Sequence, residues 1–373
     1  MTIHDLKVRA DTLVVTWSDM TITEFSTIWL RDNCPSGLHP QTHERLLDLL
    51  ALEDAPVLSS AQQDGDFAQL SYADGHISQM PLALLARYRH GRRAADPAAI
   101  PAHLWRSEHQ VARFSAAPIL DNNAALAAWM QATAADGLSI IEDVENRVGA
   151  GVDLAERIGF LRKTNFGHTF EVINKPDPNN LAYTSVALPL HTDLPNQEVP
   201  PGYQFLHCLV NEATGGGSLF ADGFAMAEDL RTEDSEAFDL LRNVPIPFRF
   251  HDGDADIMVY EPVITLGADG DVIEIRYNAH LAGVFDMPAD IMPAYYRAYR
   301  AFMSKTRDPK YRVTLKLKAG EMVVFDNRRV LHGRDAFDPS TGLRHLHGCY
   351  VDRGEFASKL RLLSRTPLAT KAS

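Results

Sequence analysis

The chain has 373 residues, 45% apolar and 23% charged, the balance of a globular protein rather than a disordered or fibrous one. A formal net charge of −13 excludes a nucleic-acid surface, which needs a basic footprint. Three cysteines (Cys34, Cys208 and Cys349) are too few for a secreted disulfide scaffold and fit a reducing, cytoplasmic compartment. The first residues lack the n- and h-regions of a signal peptide, and no apolar run is long enough to span a membrane.

Residues 1–95 read as a small β-rich domain. VRADTLVVTW, TEFSTIWL and SYADGHISQM alternate apolar and polar residues as half-buried strands do, and Asp64-Gly65 and Asp74-Gly75 are hairpin-turn dipeptides. A short helix follows at PLALLARYRH. The prolines and small residues of GRRAADPAAIPAHLW mark a linker over 96–110. Asn122-Asn123 caps a helix over ALAAWMQATAAD, which Gly137 ends. LSIIEDV is then a strand and DLAERIGFLRK a helix. From about 180 onward short strands dominate: QFLHCLV, GSLFADG, PFRFHD, DIMVYEPVITL, DVIEIRYN, RVTLKLK, EMVVFDN and RHLHGCYVD. GADGD is a hairpin turn. One helix over about 289–306 interrupts them, with Tyr296, Tyr299, Arg300 and Met303 at helical spacing as a packing stripe. Many short strands with helices outside define an α+β chain whose 111–365 region is a double-stranded β-helix, or jelly roll, with flanking helices.

Within LHTDLP, His191 and Asp193 stand two apart, so on a strand they point to the same face. Alone this pair is either a metal-binding couple or two polar residues on a solvated face. A second histidine, His332 in VVFDNRRVLHGRDAF, would complete a two-His, one-carboxylate facial triad. Arg344 follows twelve residues later, a guanidinium whose fork suits a carboxylate. Two other readings stay open: a jelly-roll binding module without catalysis, and a zinc hydrolase that leaves Arg344 unexplained.

HTD, GGGSLFADG, FDNRRVLHGRDAF and GLRHLHGCYVDRG resemble the Fe(II)/2-oxoglutarate oxygenases of the taurine dioxygenase superfamily. WLRDNCPSGLHP and TNFGHTFEVINKPDPNNLAYT narrow the resemblance to the γ-butyrobetaine hydroxylase group, over nearly the whole chain. The resemblance implies that His191, Asp193 and His332 hold Fe(II), that Arg344 grips the C5 carboxylate of 2-oxoglutarate with Ser218 assisting, and that O2 is co-substrate, with ascorbate as an in vitro reductant. His168, His207, His345 and His347 read as structural. It further implies a cage for a small trimethylammonium substrate from Phe166, Phe170, Tyr183 and Tyr350, with Leu194 where animal relatives have Tyr. Tyr203 would supply a missing wall or reach the iron side. Asn180 and Asn278 stand at the positions that contact the substrate's anionic end, while Arg276 reads as a surface arginine paired with Glu274. The hydroxylated carbon is β to nitrogen. The altered cage and Tyr203 favour 2-trimethylaminoethylphosphonate, with γ-butyrobetaine as the alternative. In relatives the N-terminal domain holds zinc; here Cys34, His39 and His76 fall at ligand positions, Ser36 replaces a cysteine, and His43 is a substitute fourth ligand. The alternative is a metal-free domain. A homodimer is expected, and neither nucleic acid nor membrane is a partner.

Overall fold

A computed structural model describes residues 2–9, 11–52, 56–89, 94–174 and 184–365. The chain divides into two compact units, residues 1–96 and 97–373. Among the described residues no helix is long and apolar enough to cross a membrane.

The first unit contains two three-stranded antiparallel sheets, Ile3–Arg9, Thr12–Trp17 and Ile22–Ser26 in one, and Leu58–Asp64, Phe67–Tyr72 and Ile77–Pro81 in the other. Leu13, Val15, Trp17, Leu70 and Met80 form its core. The stretch TEFSTIWL is strand only to Ser26; Thr27–Asp32 is helical. Phe25 of the strand and Trp29 of the helix stack with centroids 5.3 Å apart, so the aromatics join the two elements rather than share one strand face. The expected zinc set does not assemble. Cys34 Sγ lies 3.6 Å from His76 Nε2, but its other neighbours are the hydroxyls of Ser36 and Ser78 at 3.0 and 2.9 Å. His39 turns its Nδ1 onto the backbone N–H groups of Gln41 and Thr42. Neither His39 nor His43 joins Cys34 and His76 in a three-donor cluster among the described residues. Hydroxyls are poor substitutes for thiolates at zinc, and the Ser36 replacement leaves the cluster short of donors.

The second unit is a jelly roll. Its larger sheet runs, in spatial order, Arg113–Ser115, Leu138–Glu142, Met322–Asp326, Tyr203–Asn211, Arg344–Val351 and Thr169–Ile173; the smaller runs Leu188–His191, Val330–Arg334, Ser218–Asp222 and Val313–Leu315. All pairings are antiparallel except that of Arg113–Ser115 with Leu138–Glu142. Period-two alternation assigns the faces. Cys208, Phe220, Phe325 and Leu346 meet between the sheets. Tyr203, Phe205, Met322 and Val324 pack outward with Trp129, Leu154 and Phe356 of the helices Asn123–Asp136, Ala150–Glu156 and Arg353–Leu363. Leu219, Ala221 and Leu331 leave the smaller sheet on its outer face, beneath the helices Gly223–Glu233, Ser235–Asn243 and Met292–Arg307.

Local rules explain the element ends. Asn122 Oδ1 accepts from the N–H groups of Ala124 and Ala125, and Gly137 closes the helix at φ 70°, a conformation that costs glycine little. DIMVYEPVITL is broken into Asp256–Glu261 and Ile264–Leu266 by Pro262, which cannot donate to a ladder. The helix Met292–Arg307 buries Tyr295, Ala298, Tyr299 and Phe302, one residue round from the expected stripe, and Tyr296 and Met303 are not among its buried residues. Residues 97–112, which include most of the stretch 96–110 that reads as linker, contain no helix or strand but are docked: Trp105 is 3% exposed, donates Nε1 to Asp136 O at 2.6 Å, and gives its N–H to Asp222.

Asp222 and Arg329 form a fully buried ion pair, 3.0 Å from Nε to Oδ1 and 2.8 Å from the terminal nitrogen to Oδ2. Two of the remaining three guanidinium hydrogens go to Ala135 O and His103 O. Arg329→Ala therefore strands a buried carboxylate. We expect a loss of about 3–5 kcal/mol, as for other broken buried pairs. Thermal unfolding checks it: the transition of the second unit should move down while that of the first stays in place.

Candidate active site

The metal-ligating residues of the second unit are brought together by strand register. His191 ends the strand Leu188–His191 and pairs directly with His332 across the antiparallel ladder. Their rings lie 4.4 Å apart. Asp193 follows two residues later, where the chain turns at Leu194 with φ 53°, a left-handed conformation uncommon for leucine. Asn327, wholly buried, holds that turn from both sides: its Oδ1 accepts from Asp193 N at 2.6 Å and its Nδ2 donates to Asp193 O at 3.0 Å.

His191 Nε2 and His332 Nε2 stand 3.2 and 3.5 Å from Asp193 Oδ1. His191 Nδ1 meets Pro189 O at 2.9 Å. A carbonyl only accepts, so Nδ1 carries the proton and Nε2 presents a lone pair. The second carboxylate oxygen of Asp193 accepts from the Tyr350 hydroxyl at 2.7 Å. Burial alone would raise the Asp193 pKa, but the two imidazoles, His332 foremost, hold it well below the usual carboxylate range. Burial pushes His332 down, toward its neutral form. With Nδ1 of His191 committed to Pro189 O, the site can present the Nε2 atoms of two imidazoles and one anionic oxygen to an ion. Three adjacent positions of an octahedral ion with bonds near 2.1 Å lie about 3 Å apart, and these donors are close to that spacing. They fit a divalent iron ion with open positions.

The triad opens into a cavity of about 410 Å³. One wall holds Ser218, Arg334 and Arg344. Arg344 has no acidic partner among the described residues, and its Nε is buried without a hydrogen bond. Burial, with a smaller contribution from Arg334, pushes its pKa down to about 10, which still leaves it charged. A buried uncompensated guanidinium is costly, so this wall calls for an anionic ligand. Arg334 was not singled out from sequence, although it stands two residues after His332 and the same period-two rule places it on that face.

The opposite wall is aromatic. Phe170 stacks on Tyr350 with centroids 5.0 Å apart, and Phe166 meets Phe250 edge-on at 5.5 Å. Phe170 lies against Gly348, where a Cβ would sit 2.5 Å from the ring. Leu194 and Asn278 also line the cavity, as do Arg249, His251 and His280, none of which was read from sequence. The alternation of PFRFHD held the signal for Phe250, but nothing in it indicated that this hairpin reaches the site. Asn278 has its amide engaged with the backbone, accepting from His280 N at 3.0 Å and lying 3.4 Å from Thr192 O. Asn180 and Tyr183 lie outside the described residues.

Two expectations are corrected. Tyr203 does not reach the cavity: it faces the helices and stacks on Phe356 at 3.8 Å, while its neighbours Gln204 and Leu206 take the inward positions. Arg276 does pair with Glu274, but it is buried rather than solvated. Its guanidinium also donates to the carbonyls of Pro195, Gln197 and Glu198, fixing the loop that leaves the metal pair. It contributes no free charge to a substrate pocket.

A jelly roll with a two-His, one-carboxylate cluster facing a wall of buried arginine defines a non-haem Fe(II)- and 2-oxoglutarate-dependent dioxygenase. Comparison with known proteins narrows the class. The model of the taurine catabolism dioxygenase TauD, TfdA family matches residues 90–350, and that of the gamma-butyrobetaine hydroxylase-like N-terminal domain matches residues 4–86. The chain is 42% identical over 357 residues to gamma-butyrobetaine dioxygenase of Pseudomonas sp. (strain AK-1), covering 94% of this chain and 93% of that one. It is 30% identical over 369 residues to the mitochondrial trimethyllysine dioxygenase of Gallus gallus, covering 96% and 87%. Among solved structures its fold is similar to that of AAD-2 in complex with Mn(II) and N-oxalylglycine, with TM-score 0.52 and 15% identity over 66% of this chain and 97% of that one. The chain belongs to the TauD/TfdA dioxygenase family, in its gamma-butyrobetaine hydroxylase-like branch.

The site makes two tests concrete. Asp193→Ala should abolish substrate-dependent succinate formation, because it removes the one anionic donor; unchanged turnover would take this carboxylate out of the chemistry. Arg344→Gln should raise the KM for 2-oxoglutarate at least tenfold, the cost of about 1.4 kcal/mol or more from a lost charge-assisted pair, with little change in the KM for the other substrate.

Proposed function

We propose that the protein hydroxylates a small trimethylammonium compound at the carbon β to nitrogen, with His191, Asp193 and His332 as iron ligands and γ-butyrobetaine as the substrate. The observation that carries this reading is the paired aromatic wall, Phe166 with Phe250 and Phe170 with Tyr350, in the cavity that holds the triad. A trimethylammonium group has no N–H to donate and is recognised by aromatic faces, each worth about 0.5–2 kcal/mol. Asp193 is the only carboxylate among the described lining residues, so aromatic faces rather than a free counter-ion meet the cationic head. The 42% identity to a gamma-butyrobetaine dioxygenase over almost the whole chain supports the choice of substrate.

Bound Fe(II) would supply O2 activation coupled to decarboxylation of 2-oxoglutarate to succinate, placing one oxygen atom in a substrate C–H bond. The chain's residues orient and enclose. Arg344, with Ser218, holds the distal carboxylate of 2-oxoglutarate. Tyr350 serves twice: its hydroxyl fixes Asp193 while its ring forms the cage, so the position of the cationic head is tied to the position of the ligand set.

The phosphonate reading loses the support of Tyr203, which faces away from the cavity. It keeps one observation of its own: Arg249, His251 and His280 line the same cavity and offer donors suited to a tetrahedral dianion. A cytoplasmic location agrees with Cys34, Cys208 and Cys349 being free and buried. The homodimer expected of the family is checked by light scattering.

Succinate production should be measured with γ-butyrobetaine, 2-trimethylaminoethylphosphonate and 5,5-dimethylhexanoate, the uncharged carbon isostere of γ-butyrobetaine. We expect γ-butyrobetaine to have the highest kcat/KM and the isostere to fall at least tenfold below it, about 1.4 kcal/mol of lost cation–aromatic attraction. Equal turnover of the isostere would sink the cage. A higher kcat/KM for the phosphonate would replace the substrate and leave the cage standing.

A further inference from the structure

The second unit holds another cluster of ligating side chains that the oxygenase chemistry does not use. His103 and His109 lie on the docked 97–112 segment, and Asp136 is the last residue of the helix Asn123–Asp136. His103 Nδ1 is 2.9 Å from one oxygen of Asp136, and His109 Nε2 is 3.7 Å from the other. The three donor atoms all lie within 4.8 Å of one another. Donors on a tetrahedral ion with bonds of about 2.0–2.1 Å are separated by about 3.3 Å, midway between those two spacings.

A surface ion pair between His103 and Asp136 accounts for only part of this. The side chain of His109 is 8% exposed, and its Nε2 is buried without a hydrogen-bond partner while aimed at Asp136. Either tautomer strands a polar atom there, an orphaned N–H or an orphaned lone pair. The ring is also held in place: it stacks on Trp105 with centroids 5.0 Å apart at 18°. All three backbones are anchored. His103 N donates to Ala135 O, His103 O accepts from Arg329, His109 N donates to Arg106 O, and Asp136 O accepts from Trp105 Nε1.

We propose that His103, His109 and Asp136 form a second divalent transition-metal site, suited to Zn²⁺, that fastens the 97–112 segment to the end of the helix. Two imidazoles and a carboxylate are a donor set that zinc accepts, with water in the fourth position. His103 is the exposed ligand, with 66% of its side chain accessible, and gives the ion its route in. Burial holds His109 toward the neutral form that ligation requires. The role is structural. The ion would cross-link the segment to a helix end that Arg329 already ties to the smaller sheet.

The test uses the full chain in a His191→Ala/Asp193→Ala background, so that the iron ligands do not confuse the count. After chelation, Zn²⁺ loading and desalting, inductively coupled plasma mass spectrometry should find one more zinc per chain in this background than in the same background carrying His103→Ala. His103 is exposed, so its removal leaves the core packed. The thermal midpoint of the His191→Ala/Asp193→Ala protein should rise by about 5–10 °C with Zn²⁺ at a hundredfold excess over Kd, and the rise should vanish with His103→Ala. Cys34→Ser in that background should leave both results unchanged, which separates this site from the Cys34–His76 pair. Equal zinc content with and without His103, or a midpoint shift that survives its loss, would overturn the proposal.

Discussion

The pair between Asp222 and Arg329 is the point on which the site's geometry depends. Two ions wholly removed from water are tolerated only when nearly every donor and acceptor is placed, and here they are. Asp222 ends the strand that carries Ser218, caps the following helix through Phe224 N, and accepts from Trp105 N. Arg329 directly precedes the strand that carries His332, and its other hydrogens reach a helix end and the 97–112 segment. Two residues earlier, Asn327 grips both the N–H and the carbonyl of Asp193. The loop from Asp326 to Val330 is thereby fixed at both ends of its short run, and two of the three iron-ligand positions follow from it. The third follows from ladder register, because His191 is paired with His332. A metal site built this way owes its precision to strands and a desolvated ion pair rather than to the metal.

The charge layout of the cavity then sorts its ligands. One end holds buried guanidinium groups, Arg344 among them without an acidic partner in the described chain. The other end holds aromatic faces and no carboxylate beyond Asp193, whose charge is engaged by two imidazoles and a phenol hydroxyl. An anionic co-substrate is favoured at the first end, and the proposed cationic substrate head would be favoured at the second and opposed at the first. In a site of low dielectric this preference outweighs any difference in molecular size, because a misplaced charge leaves a desolvated ion uncompensated.

How much of this was legible in the sequence follows from which rule each residue obeys. Period-two spacing drew attention to His191 and Asp193, but the strand stops at His191 and Asn327 holds the turn that carries Asp193; the rule does extend from His332 to Arg334. Helix caps were readable at Asn122 and Gly137, because their chemistry is local. Tyr203 was misplaced for a specific reason: QFLHCLV is buried on both faces, so alternation indicates that there are two sides without saying which one is inside. Arg276 looked like a surface cation because sequence records its charge but not the three loop carbonyls that bury it. The 97–112 segment looked like a linker because its composition is that of a loop, while its docking rests on one tryptophan and on long-range contacts to Asp136 and Asp222. Local chemistry is legible; parity and long-range hydrogen bonding become visible only when the strands are paired.

Tyr350 joins the two halves of the site, and that has a consequence for specificity. Its ring is part of the cage and its hydroxyl holds the carboxylate of the ligand triad. On the proposed reading the distance from the cationic head to the metal position would be set by one side chain on a central strand, flanked by Tyr203–Asn211 and Thr169–Ile173. The reacting carbon would then be chosen by counting from the nitrogen. On the proposed reading the far end of the substrate would meet Arg249 and His251 of the hairpin formed by Ile246–His251 and Asp256–Glu261, together with His280. That hairpin lies outside the two main sheets and is tied, by the Phe248–Ala282 bridge and the bond from Arg249 N to Leu281 O, to the segment that carries His280. Head and tail recognition are then coupled, because Phe250, which meets Phe166 in the proposed cage, stands between Arg249 and His251 on one hairpin strand, so a change made there for the tail also moves the cage.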